Sequence, residues 1–378
     1  MKDLSDILQR LRPRTDKLPD AVVATIVRTV GSSYRTPGAR LLMEDDGTLT
    51  GVLSGGCLEA DLAERAKKVR ASGRSELITY DTSSAQDIID GLGIGCNGKI
   101  QVLLEPGSVA APSLQFADVV LEKGGRGVIA TIFHVRGFPD VRLGARLLLD
   151  DAGESFHGVP DSALQEVLST QARTFLREGT TATKSLELGV DVADVLFEVI
   201  TPPPLLAIFG AGPGSSALAR LAKELGWRVT VLDHRDKASH RGEFACADRM
   251  VIGDYAQISR SLDLTPSLAA VVMSHNFEAD LEYLRMLLPS PVQYIGLLGS
   301  RNRSEELLST LSKEGMRPES VRERLYNPIG LDIGAEGPEE IALAILSEIR
   351  AVAAHRTGGF LKDRKGPIHE PHASLGTR

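Results

Sequence analysis

Two of the chain's three cysteines stand among glycines that would leave a thiol accessible. Cys57 follows Gly55 and Gly56 and precedes Glu59 in "GVLSGGCLEA", residues 51–60, where a helix begins. Cys96 lies in "GIGCNGK", residues 93–99, ahead of Asn97 and Gly98. A helix N-terminus lowers the pKa of a thiol, and a thiolate suits a soft metal, so both are candidate metal ligands. The alternative is a small structural hydrophobe at a tight turn. The third cysteine, Cys246 in "FACAD", has no such setting. No nearby histidine–acid arrangement signals a cysteine protease or an acyl-transfer enzyme.

Groups suited to oxygen-rich anions gather near other glycines. "GSSYRTPGAR", residues 31–40, offers Ser32, Ser33, Arg35 and Arg40 to phosphate or pterin-type acceptors. Gly210 and Gly212 have the spacing of a dinucleotide fingerprint, with Gly214 beside Ser215 at the third small position and Asp233 closing the next strand. Such a turn brings a phosphate close to a helix N-terminus. Asp233 suits a ribose hydroxyl, whereas His234 and Arg235 equally suit a phosphate-bearing partner. The same turn also serves other phosphate ligands or none. His275 in "SHN" follows the strand "AAVVM", at the end where open sheets bind ligands, or else it caps the loop. Ser300, Arg301 and Arg303 in "GLLGSRNR" and Asp332 in "NPIGLDIGAEGPEEIA" complete what reads as one anion-friendly crevice.

These groups need strands and helices to hold them. "AVVATIVRTV", "GARLLMEDDG", "TLTGVLSGG", "SELITYD" and "KIQVLLEP" read as strands, with a helix from Leu58 to Ser72. A second copy follows at a constant offset of about 106 residues: "ATIVRTVGSS" is matched by "ATIFHVRGFP" and "GARLLMEDDG" by "GARLLLDDAG". The second copy has "FHGVPDSALQ" where the first has the glycine pair and Cys57, so the shared scaffold does without them. The proline run at 202–204 ends this block. Beyond it, strand, glycine turn, helix, strand and acid succeed one another as in a Rossmann-like sheet, with "MVIGD", "AAVVMS" and "PVQYIGLLGS" as further parallel strands. The expected fold is α/β. A mixed α/β domain (1–200, repeat halves about 20–106 and 126–202) precedes a Rossmann-like parallel-sheet domain (205–355) and a loose tail (357–378).

Bulk properties narrow the classes further. The chain has 378 residues and 40.5 kDa, 42% hydrophobic and 25% charged residues, mean hydropathy −0.03 and net charge −7. Mixed charge with an acidic balance argues against a nucleic-acid binder. No apolar run approaches the roughly 18–20 residues of a membrane span, and the start "MKDLSDILQR" is an amphipathic helix, so a cytoplasmic protein is expected. Three cysteines without a CxxC pair make neither a disulfide framework nor a structural zinc site.

Taken together, "GSSYRTPGARLLMEDDGTLTGVLSGGCLEADL", "GCNGKIQVLLEP", "FGAGPGSSALARLAKELGWRVTVLDHR", "QYIGLLGSRNR" and "PIGLDIGAEGPEEIALAI" closely resemble the XdhC/CoxI family, from about residue 20 to 350. Its members are accessory factors of xanthine dehydrogenase and related molybdenum hydroxylases. The resemblance implies binding of molybdenum cofactor, support for its sulfuration by a cysteine desulfurase, and delivery into apo molybdenum hydroxylase, often by a homodimer, as a maturation chaperone rather than an enzyme. Gly55, Gly56 and Glu59 match the family's Gly-Gly-x-Leu-Glu loop, with Cys57 at its variable position. Cys96 matches a family cysteine placed before a Gly-Gly pair, the first of which is Asn97 here; the implied metal of Cys57 and Cys96 is molybdenum. His275 matches a Thr-His-Asp-His stretch that reads "SHNF" here, without the second histidine or the acid. Two rival readings remain beside it: an NAD(P)-dependent oxidoreductase working from the Rossmann-like domain, and an assembly partner that binds no cofactor.

Overall fold

The computed structural model describes residues 2–12, 18, 20–31, 33–56, 58–81, 98–153, 155–236, 240–316 and 322–365. The chain forms two compact units, Met1–Pro202 and Pro203–Arg364.

The first unit contains α1 (Lys2–Leu11), β1 (Val22–Gly31), β2 (Arg40–Met43), β3 (Leu49–Gly51), α2 (Glu59–Ser72), β4 (Glu76–Asp81) and β5 (Gly98–Pro106). After them come α3 (Gly107–Glu122), β6 (Gly127–Arg136), β7 (Arg146–Asp150), β8 (Ser155–His157), α4 (Ser162–Glu178), β9 (Ala182–Leu188) and β10 (Asp191–Ile200). These strands build two antiparallel sheets of identical order, β3-β2-β1-β5-β4 and β8-β7-β6-β10-β9. The internal duplication read from the sequence is therefore a duplication of topology.

Alternation along each strand decides which side chains meet. Val22, Ala24 and Ile26 of β1 face α2 in one core, and Val128, Ala130 and Ile132 of β6 face α4 in its counterpart. The opposite faces turn toward each other. Val27 and Leu103 of the first copy pack on Phe133 and Leu196 of the second. Val27 and Phe133 are each the extra residue of a bulge in the central strand pair, so even this irregularity is repeated. α1 and α3 close the far end of this inner layer through Leu4, Ile7, Leu8, Ala110, Leu114 and Ala117.

The second unit contains β11 (Leu205–Phe209), α5 (Pro213–Glu224), β12 (Arg228–Asp233), α6 (His240–Glu243), β13 (Arg249–Ile252) and α7 (Tyr255–Ser261). It continues with β14 (Leu268–Val272), α8 (Phe277–Leu287), β15 (Tyr294–Leu297), α9 (Arg301–Lys313), β16 (Leu325–Tyr326) and α10 (Pro338–Ala353). Its six strands are parallel in the order β13-β12-β11-β14-β15-β16. This is the doubly wound order, with its switch point between β11 and β14. Strands buried on both faces explain the unbroken apolar runs in sequence. Leu206, Ile208 and Val271 pack under α5 and α10, while Phe209, Val272 and Ile295 pack under α8 and α9. A short helical turn, Leu361–Asp363, follows α10 within this unit.

Candidate functional site

Glu59, the first residue of α2, reaches back and fixes the loop before its own helix. One carboxylate oxygen accepts from the amides of Leu53 (3.0 Å) and Ser54 (2.8 Å). The other accepts from the Gly56 amide (2.9 Å) and the Ser54 hydroxyl, whose oxygen in turn accepts from the Leu58 amide (2.7 Å). Burial pushes this carboxyl up, but the bonds from the Ser54 hydroxyl and from the loop amides outweigh it and hold the group at about 2. The loop between these anchors is exposed, with Gly55 at φ 75° and Gly56 at φ 117°, a region that L side chains rarely adopt. Tyr34 lies beside Gly55, and among the described residues nothing stands within 4 Å of the position a Gly56 side chain would take. The second copy starts α4 differently: Asp161 caps the helix by accepting from the Leu164 amide (2.8 Å). Ser32, Cys57, Cys96 and Asn97 lie outside the described residues. Among the described residues no cluster of histidine, cysteine, aspartate and glutamate could hold a metal.

The two arginines of the first unit read from the sequence as anion ligands, Arg35 and Arg40, have partners within the protein. Arg35 pairs with Asp3 of α1, and the Ser33 hydroxyl donates to the Arg35 carbonyl (2.9 Å). Arg40 is buried, and both of its terminal nitrogens donate to Glu198 of the second copy. Burial disfavours its charge, but the Glu198 carboxylate more than offsets this and raises its pKa. The reason Arg40 points inward is the alternation of β2, which sets it on the same face as Leu42. The second copy repeats the device in reverse, with Arg146 of β7 donating to Glu105 of β5. None of Glu105, Arg146 and Glu198 is flagged by a local motif. The signal that could have found them is a charge at equivalent positions of two otherwise apolar strand pairs.

In the second unit the residues read as one crevice sit at the carboxyl ends of adjacent strands. Gly210 (φ 110°) follows β11, and a β-carbon there would overlap the Ser274 backbone after β14. Gly212 caps α5 with Pro213 as its first residue, and Gly214 lies against Met273. Asp233, at the end of β12, is fully buried. One oxygen accepts from the Ala211 amide (2.7 Å) and Arg235 Nη2 (3.0 Å); the other accepts from the Arg235 amide (2.8 Å) and Nε (3.1 Å). Burial raises this carboxyl's pKa, while the bonds from Arg235 and Ala211 bring it below its ordinary value. His234 stacks on Tyr255 with ring centroids 5.3 Å apart. His275 is exposed at φ 56°, an uncommon backbone for a non-glycine residue, and its ring edge lies toward Gly212. Ser300 caps α9, Arg301 is exposed on its first turn, and Arg303 donates to the buried Asp280 (2.7 Å). Asp332 lies exposed beyond β16.

Comparison with known proteins gives a consistent picture. Residues 206–349 match the XdhC Rossmann domain, and residues 19–81 match the XdhC and CoxI family. A probable xanthine dehydrogenase subunit of Bacillus subtilis (strain 168) is 35% identical over 332 residues, spanning 87% of this chain and 92% of that protein. The molybdenum cofactor insertion chaperone PaoD of Escherichia coli (strain K12) is 24% identical over 336 residues, 89% of this chain and 84% of that one. The crystal structure of a xanthine dehydrogenase from Bacillus halodurans matches with a TM-score of 0.76 at 30% identity, covering 96% of this chain and 98% of that chain.

Proposed function

The chain belongs to the XdhC and CoxI family, and on that premise we propose that it is an accessory factor that carries molybdenum cofactor and supports its sulfuration and insertion into an apo molybdenum hydroxylase. The observation that carries this reading is the Gly55–Gly56 loop. It is an exposed stretch of backbone held open by Glu59 rather than buried by packing. Glu59 takes the Leu53, Ser54 and Gly56 amides and leaves the exposed Gly55 amide to a phosphorylated cargo, since an amide donor approaches a phosphate oxygen closely only where no side chain intervenes. The similarity to a protein named as a molybdenum cofactor insertion chaperone supports the same reading. In it, Cys57 and Cys96 stand near molybdenum, a cysteine desulfurase supplies sulfur, and the factor works as a cytoplasmic homodimer. No helix among the described residues is long and apolar enough to cross a membrane.

A nucleotide-dependent oxidoreductase is the second reading, favoured by the strand order and the Gly210 turn of the second unit. Against it stands Asp233, whose acceptor positions are all taken by Ala211 and Arg235, leaving none for a ribose diol. The deciding experiment is purification from a host that makes molybdenum cofactor, followed by assay of released pterin and molybdenum. Stoichiometric amounts of both are expected; their absence overturns the proposal.

A further inference from the structure

The two copies of the first unit differ where one would look for a ligand. In the first copy the N-terminal turn of α1 is tied to the loop before β2 by the Asp3–Arg35 pair. The equivalent positions of the second copy are Val109 in α3 and Val141 before β7, which form no such pair. There a groove of about 930 Å3 opens, within the size range of small-molecule sites. Arg142 and Asp140 of the loop before β7, Arg74 and Ser75 of the α2–β4 turn, and Gly158 after β8 contribute to its walls. Arg74 and Arg142 are exposed, and among the described residues neither guanidinium has a hydrogen-bonding or ionic partner.

Beside the groove, Glu105 and Arg146 border a separate small buried cavity together with Thr25, Arg40, Ser113 and Thr131. Arg40 and Glu198 satisfy each other with two bonds, but their counterparts do not. Arg146 uses one nitrogen on Glu105 and one on the Val109 carbonyl (2.9 Å), leaving its Nε and Glu105 Oε1 buried without a partner. Glu105 Oε1 lies against Gly144 (φ 85°), which lines the groove, and burial raises the Glu105 pKa. Proteins keep few unpaired buried polar atoms of this kind.

We propose that the groove of the second copy is a binding site for a phosphorylated small molecule of nucleotide size, with Arg74 and Arg142 taking the phosphates. Arginine is suited to this because its planar fork meets two phosphate oxygens at once. Ser75 offers a hydroxyl donor and Asp140 carboxylate acceptors to the uncharged part of the ligand. The site is separate from the Gly55–Gly56 loop and does not depend on the family reading.

Titration calorimetry of the full chain with ATP, pyrophosphate and adenosine tests the proposal. ATP and pyrophosphate are expected to bind, adenosine far more weakly. The charge reversal Arg74→Glu/Arg142→Glu should weaken both at least tenfold, while Arg235→Ala in the second unit leaves them unchanged. Both groove arginines are exposed, so the double variant should keep the wild-type melting temperature. Absence of binding by ATP and pyrophosphate at millimolar concentration overturns the proposal. So does binding that survives the double reversal or disappears with Arg235→Ala.

Discussion

Glu59 illustrates how one side chain can organise a loop that has no core of its own. Its folded carboxyl sits at about 2 against an ordinary 4.5, so folding makes it the stronger acid. A depressed carboxyl contributes stability that is complete above its unfolded pKa and vanishes as pH falls through the folded one. The melting temperature of wild type should therefore exceed that of Glu59→Gln at neutral pH, with the gap closing between roughly pH 5 and pH 2. A gap independent of pH would show that the carboxylate charge is not what holds the loop. At the same scale, Glu59→Ala leaves the Leu53, Ser54 and Gly56 amides without their acceptor and should cost about 1–3 kcal/mol, softened by solvent at this half-exposed position. Retained pterin should fall with it. Gly-Gly, Leu and Glu at this spacing were legible as a motif; the carboxylate's reach backward to three amides was not, because it depends on the loop's three-dimensional path.

Strands decide the fate of the charges placed on them. Arg40 looked in sequence like a ligand for an anion, since it follows a serine- and glycine-rich turn. The four-residue strand that begins there sends it inward, to a carboxylate 158 positions away. A contact so remote leaves no local trace, which is why the sequence revealed the duplicated strands but not the pairs that join them. Glu198→Ala or Arg40→Ala strands a buried charge and should cost about 3–5 kcal/mol, whereas Arg40→Met combined with Glu198→Leu should come close to neutral. Urea denaturation of the wild type and these three variants checks this. The asymmetry between the copies adds a sharper expectation. Glu105→Gln should destabilise less than Glu198→Gln, because Glu105 already leaves one oxygen unpaired and burial raises its pKa. Equal losses would contradict the difference seen between the two pairs.

At the scale of the molecule, the glycines of the second unit were the most readable part of the chain. Gly210 must be glycine on two grounds, its φ of 110° and the backbone of Ser274 beside it, and both follow from the strand–turn–helix pattern. Gly210→Ala should lower the stability of this unit by more than about 1 kcal/mol. The chain's single tryptophan, Trp227, is buried in that unit's core and reports on it directly by fluorescence. Residues 203–364 own a complete sheet covered on both faces, so expressed alone they should melt cooperatively by the same signal. The first unit cannot be divided in the same way. Arg40 and Glu105 of the first copy have their partners at Glu198 and Arg146 of the second. During synthesis the first copy emerges with both charges orphaned, and its inner face stays incomplete until the final strand has left the ribosome. The two copies are thus expected to close together once residue 198 has been made, whereas an ordinary repeat array could set its first module before the next was made.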